Sequence, residues 1–279
     1  MRRGLILDLD NTVYNWVDAF LPSFRAMVHK LSGELGLEEA EIVDDFREVY
    51  KRRGTVEYPR VVEELMLWER HRVDLELKQK LSKLVNKVFS ITYRQNLKPF
   101  PNVKEVLEWM RDEQVVVVGL SDALERWVCY RLRALGIERF FFGLFTWHRE
   151  EWFDDRPPVR SSIRKRVRLS SYDLKPNYKV VEAILDEFSL NRENTFMVGD
   201  SISKDIAVAQ EAGVRDVWAR YGTRPLEKNL NTLREITPWT ETEKAAERRV
   251  SSRIFPSVAI DDFVELKRLL GTERPRLFD

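Results

Sequence analysis

Four apolar runs, spaced by stretches of helical pattern, restrict the fold of this chain more than any other feature. They are residues 5–10, the run from Val115 to Leu120, Thr195-Phe196-Met197-Val198, and Asp216-Val217-Trp218-Ala219. Each has the length of a strand; the first opens on a continuous apolar run and the second is β-branched, as in strands buried on both faces. Strands buried on both faces need helices above and below them. Helices are expected at residues 103–113, with Asn102 as N-cap and Glu105 as its capping-box partner, at 123–135, closed by Gly136, and at 178–188. In the last of these, Val180, Val181, Ile184, Leu185 and Phe188 share a face. A short helix is expected after Asp200, and residues 140–145 read as a further strand. The fold class is therefore α/β: a Rossmann-like parallel sheet core.

Residues 15–96 break the alternation. Gly and Pro are sparse there, and Phe20, Phe24, Met27, Val28 and Leu31 recur at helical spacing. Val61, Val62, Leu65 and Trp68 begin a second such face, and Leu77, Leu81, Leu84, Val85 and Val88 make a third. Four or five helices are expected and no strand. Pro99-Phe100-Pro101 marks the return to the sheet. The division is thus an α/β core of residues 1–14 and 97–279, with residues 15–96 an inserted α-helical domain. Two stretches fit neither pattern, 146–172 and 222–254, and both read as loop insertions. The first carries Arg156, Arg160, Arg164, Lys165, Arg166 and Arg168 with no acid in 156–168. It suits an anionic partner, but a locally paired surface hairpin is the more economical reading. The second is polar and punctuated by Pro225 and Pro238.

Charge excludes some functions. Lys and Arg number 47 against 46 Asp and Glu, a net +1, so nonspecific nucleic-acid binding by the whole surface is not expected. The single cysteine, Cys129, forms no intrachain disulfide and suits a cytoplasmic location. The apolar run at residues 5–7 is too short for a signal peptide or a membrane span, and none elsewhere is long enough.

The first strand ends in two carboxylates, Asp8 and Asp10. Residues i and i+2 of a strand point the same way. Like charges crowded together are costly unless neutralised, and oxygen-only ligands favour magnesium. The pair supplies a nucleophile and a general acid/base. An Asx-turn with an N-cap would also use Asp, Asn and Thr here. Three further features follow in order, two of them at strand ends: Ser121, Lys175, and Gly199-Asp200 with Asp205 beyond.

This order resembles the haloacid dehalogenase-like hydrolases, the aspartate-nucleophile phosphatases. Their four short motifs match Asp8-Leu9-Asp10-Asn11-Thr12, Leu120-Ser121-Asp122, Leu174-Lys175-Pro176 and the run from Val198 to Asp205. The likeness covers residues 1–14 and 97–220, and the helical insert occupies the place of the family's cap. It implies hydrolysis of a small phosphomonoester metabolite through an aspartyl-phosphate on Asp8. Asp10 would protonate the leaving group, and Ser121 and Lys175 would hold the phosphoryl oxygens. Mg2+ would sit on Asp8, the Asp10 main-chain carbonyl and Asp200, with Asp205 ligating or orienting waters. Dehalogenases of the family lack an acid at the position of Asp10, since a halide needs no proton. The same intermediate would serve a phosphomutase, and a binding module acting through the basic insert remains an alternative. Asp122 is expected to cap the following helix. Arg52, Arg53, Trp68 and His71 are candidate substrate contacts, though an exposed surface position or core packing is the more economical reading of each. Dimerisation through the cap or through 222–254 is compatible with the sequence.

Overall fold

The computed structural model describes residues 2–153, 157–237, 245 and 249–271. Seven strands form one sheet: β1 (Arg2–Leu7), β2 (Val116–Leu124), β3 (Gly143–Trp147), β4 (Lys165–Leu169), β5 (Leu190–Gly199), β6 (Arg215–Ala219) and β7 (Val258–Ile260). Their order is β4-β3-β2-β1-β5-β6-β7, and every pair is parallel. Side-chain alternation along β1 sorts the core into two layers. Ile6, with Val116 and Val118, packs against helices α7 (Lys179–Phe188) and α8 (Ala207–Glu211). Leu5 and Leu7 face the other way, toward α5 (Val103–Asp112), α6 (Glu125–Ala134) and α10 (Leu266–Gly271). Helices on both faces explain why the strands read as continuously apolar. The α/β class expected from the sequence is the observed one.

Between β1 and α5 the chain forms α1 (Trp16–Leu35), α2 (Glu39–Arg53), α3 (Leu67–Arg70) and α4 (Leu75–Asn96). Phe20, Phe24, Met27, Val28 and Leu31 are all buried along α1. Aromatic rings fill this layer: Phe24 meets Phe46 edge-on at 5.3 Å, and Phe20 lies 6.1 Å from Phe24 and 5.9 Å from Phe89. The two connections to the sheet run side by side. Asn15 N–H donates to the Lys98 carbonyl (3.1 Å), and Lys98 N–H donates to Asn15 Oδ1 (2.8 Å).

Several local expectations are corrected. The basic stretch read as a loop contains β4, the outermost strand, which pairs with β3 from Gly143↔Lys165 to Trp147↔Leu169. Its alternating cations disguise a strand that serves as a charged sheet edge. Arg166 and Arg168 pair with buried Glu125 (3.0 and 3.2 Å), and Lys165 pairs with Glu187 (2.7 Å). Three of the six cations are thus paired locally, with two carboxylates between them, which weakens the binding-module alternative; Arg156 lies outside the described residues. The stretch from 222 opens with α9 (Thr223–Ile236) rather than a loop, because Pro225 falls in the first turn, where a helix tolerates it. Pro238 lies outside the described residues. Asn102 makes no cap: its φ is +62°, and its amide donates to Asp262 instead (2.9 and 3.0 Å).

Phe24 is 2% exposed between Phe20 and Phe46. Phe24→Ala is expected to lower the unfolding free energy by about 3–5 kcal/mol in a denaturant titration, since a cavity adds to the lost transfer energy. A loss below about 1 kcal/mol would mean that this layer collapses freely around the gap.

Candidate active site

Adjacent strand ends assemble the site. β1 and β5 pair Leu7↔Val198, and Asp8 N–H donates to the Val198 carbonyl at 2.9 Å. Asp8 and Asp200 therefore follow two neighbouring strands over the carboxyl edge of the sheet. A wide turn at 202–206 carries Asp205 back toward Gly199. A Cβ on Gly199 would stand 2.2 Å from the Asp205 carboxylate, so only glycine admits this approach. Lys175, from the loop before α7, reaches in and donates from Nζ to Asp8 Oδ1 (2.5 Å) and Asp205 Oδ1 (2.7 Å). Asp205 Oδ2 accepts the Ser201 N–H at 3.0 Å, so both of its oxygens carry a donor. Asp8, Asp200 and Asp205 each place one carboxylate oxygen within 4.8 Å of the other two.

Three carboxylates share one ammonium here. At an effective dielectric of about 20, two unit charges at such a separation repel by roughly 3 kcal/mol. Burial pushes the Asp8 carboxyl up to about 7; Lys175 opposes the rise, while Asp205 and Asp10 add to it. Burial raises Asp200 well above the ordinary carboxylate range, with Asp8 and Asp205 adding to the rise. Burial would lower the Lys175 pKa, but Asp205, Asp8 and Asp122 outweigh it and hold the ammonium charged. Asp8 Oδ2 is buried and meets no hydrogen-bond donor among the described residues. A negative cluster with an orphaned carboxylate oxygen and only oxygen donors fits a hard divalent cation such as magnesium.

The other expected residues sit differently. Ser121 is buried on β2, where its Oγ accepts the Ala123 N–H at 3.1 Å. Asp122 is no helix cap, because β2 continues through it and α6 starts only at Glu125. It accepts the Lys175 N–H (3.0 Å) and the Lys204 ammonium (2.9 Å), and so pins the Lys175 loop. Burial would raise the Asp122 carboxyl; Lys204 and Lys175 outweigh it and hold it below its ordinary value. Asp10 has a different partner from Asp8. β1 stops at Leu7, Asn11 turns the chain with φ +60°, and the Asp10 carboxylate accepts from Arg131 at 2.9 Å. Among the cap candidates, Arg52 and Arg53 pair with Glu64, His71 pairs with Glu41, and Trp68 is core, donating to the Val62 carbonyl at 2.6 Å. Arg131 and Lys204 were not singled out in the sequence. Each lies on a helix or turn without a pattern that marks it.

Comparison with known proteins places this geometry. The family model for haloacid dehalogenase-like hydrolases matches residues 3–213. A glyceraldehyde 3-phosphate phosphatase of Methanopyrus kandleri is 25% identical over 226 residues, covering 80% of this chain and 85% of that protein. A 2-haloacid dehalogenase of Pseudomonas syringae superposes with a TM-score of 0.58 at 18% identity, over 98% of this chain and all of that one. A HAD phosphatase of Thermococcus onnurineus gives 0.56 at 18% identity, over 99% of this chain and all of that one. At these identities the structural likeness concerns the fold.

Added Mg2+ is expected to raise the Tm of the protein, and the shift should grow as pH climbs through about 7. Below that pH a proton competes with the cation for the Asp8 carboxylate; above it the site is open. Asp200→Asn should remove most of the shift. A Tm indifferent to Mg2+ above neutral pH, read by calorimetry, would rule out the metal site.

Proposed function

The chain belongs to the haloacid dehalogenase-like hydrolases, and we propose that it is a magnesium-dependent cytoplasmic phosphatase acting on a small phosphomonoester. The observation that carries this reading is the Lys175 ammonium held between Asp8 and Asp205, beside the unpartnered Asp8 Oδ2. It keeps one cation against a carboxylate that is free to attack. The name of the Methanopyrus relative makes glyceraldehyde 3-phosphate the first substrate to test.

A phosphomonoester dianion repels an approaching carboxylate, and the lysine screens that repulsion. Asp8 attacks phosphorus in line: an Asp8 oxygen–phosphorus bond forms, and the bond to the leaving oxygen breaks. Asp10 gives its proton to that oxygen. Water then attacks the aspartyl-phosphate while Asp10 takes a proton back, releasing phosphate and restoring Asp8. Ser121 Oγ and backbone N–H groups at the strand ends bond the phosphoryl oxygens. Asp8, Asp200 and the Asp10 main-chain carbonyl would hold magnesium, which would further neutralise phosphoryl charge. Asp205, whose two oxygens accept from Lys175 and from the Ser201 N–H, orients Lys175 and would either ligate the metal or orient waters beside it. Residues 15–96 act as the cap, closing over the strand ends to exclude water.

The test is phosphate release from a panel of phosphomonoesters, with Mg2+ and with a chelator. Asp8→Asn should abolish turnover in a folded protein, because an amide does not attack phosphorus. Asp10→Asn should lower turnover of alkyl phosphates by roughly 10²–10⁴-fold. Activity retained in Asp8→Asn would overturn the assignment, and an isomerised sugar phosphate in place of free phosphate would identify a mutase.

A further inference from the structure

The two aspartates of the first motif have different companions. Asp8 belongs with Lys175. Asp10 belongs with Arg131, a residue of α6 that is only 3% exposed. The Arg131 guanidinium uses each of its three nitrogens on a different partner. Nη1 donates to Asp10 Oδ1 at 2.9 Å, Nε donates to the Tyr93 hydroxyl at 2.8 Å, and Nη2 donates to Glu57 Oε1. The rings of Tyr14 and Tyr93 lie 5.9 and 5.7 Å from its carbon.

Glu57 and Tyr93 both come from the helical insert, from the segment after α2 and from α4 respectively. Glu57 is itself fixed. Its Oε1 also accepts the Trp16 indole N–H at 2.8 Å, and its main-chain carbonyl accepts the Trp127 indole N–H at 3.0 Å. One buried guanidinium thus joins the motif loop, a helix of the α/β core and two parts of the insert. A planar fork with three directed donors can hold all three partners at once, whereas a lysine is a single point on a flexible stem.

We propose that Arg131 is a positioning residue for Asp10, and that Glu57 is the part of the insert that fixes where Arg131 stands. The inference rests on the phosphatase reading, in which Asp10 hands a proton to the leaving oxygen. A proton donor must lie within hydrogen-bond reach of the atom it protonates. A displacement of about 1 Å costs on the order of 10²-fold in rate. The Asp10 carboxylate stands in a loop turned by a left-handed residue, outside β1, so its place is set by what binds it. Through Glu57 and Tyr93, that place depends on the insert lying against the core.

The experiment compares kcat/KM for two substrates in wild type, Arg131→Lys, Glu57→Gln, Asp10→Asn and the double variant Asp10→Asn/Arg131→Lys. One substrate is glyceraldehyde 3-phosphate, whose alkoxide needs a proton to leave. The other is p-nitrophenyl phosphate, whose phenolate leaves without one. Arg131→Lys should lose roughly 10–100-fold on the alkyl ester and less than about 3-fold on the aryl ester. Glu57→Gln should lose in the same pattern by a smaller factor. The double variant should be no slower than Asp10→Asn alone. Equal losses on both substrates, or a double variant slowed by the product of the two single effects, would overturn the positioning role and leave Arg131 a structural group. Glu57→Gln, which keeps its shape and an acceptor for Trp16, carries the test if Arg131→Lys does not fold. Wild-type protein that releases phosphate from neither ester would overturn the phosphatase reading itself, a result distinct from an equal loss in the variants.

Discussion

The buried contact of Lys175 with Asp8 and Asp205 is the constraint around which the strand ends are arranged. Taking an ammonium out of water costs several kcal/mol unless opposite charge and hydrogen bonds meet it. Here two carboxylates meet it at 2.5 and 2.7 Å, and neither is there by accident of packing. Asp8 is set by the end of β1 and its bond to Val198. Asp205 is brought back by a wide turn that passes over a glycine with no room for a side chain. The Lys175 loop is fastened by Asp122, which Lys204 in turn neutralises. Removing any one partner leaves a buried charge uncompensated. The group of residues therefore behaves as one unit and holds its geometry before any ligand arrives.

That unit is still short of positive charge. Three carboxylates crowd one ammonium, and burial drives Asp8 and Asp200 toward their neutral forms. In the proposed reading a divalent cation would restore the balance, and the same positive field would suit a dianionic phosphoryl group.

Most of the sheet was legible in the sequence because buried parallel strands read as apolar runs, and parallel strands place their carboxyl ends in one row. Asp8, Ser121 and Asp200 could be put in that row from pattern alone. Lys175 could not; a lone loop lysine carries no local signal, and only its place among the four motifs marked it. β4 was missed because an edge strand bearing paired arginines looks like a basic loop, and α9 because a first-turn proline looks like a break. Asp8 and Asp10 were expected to point the same way. β1 ends before either of them and Asn11 turns the loop, and the two carboxylates bond different partners, Lys175 and Arg131. Arg131 had no signal of any kind: it is one basic residue on an amphipathic helix, and its partners lie 38, 74 and 121 residues away.

The fold by itself does not choose between the reactions found on it. A dehalogenase superposes on this chain as well as a phosphatase does, at the same identity. The residues around Asp10 do discriminate. A halide leaves without a proton, so a dehalogenase has no use for an acid held beside the nucleophile. In this chain Asp10 is bonded by a buried guanidinium that also donates to a glutamate and a tyrosine from another part of the molecule. Burying such an ion pair seldom adds stability over a well-packed apolar core. Its presence is better explained by the need to hold Asp10 in one place, and a placed acid is useful where the leaving oxygen must be protonated. On the proposed phosphatase reading, the arrangement around Asp10 is what an alkyl phosphate needs and a halide or an activated ester does not.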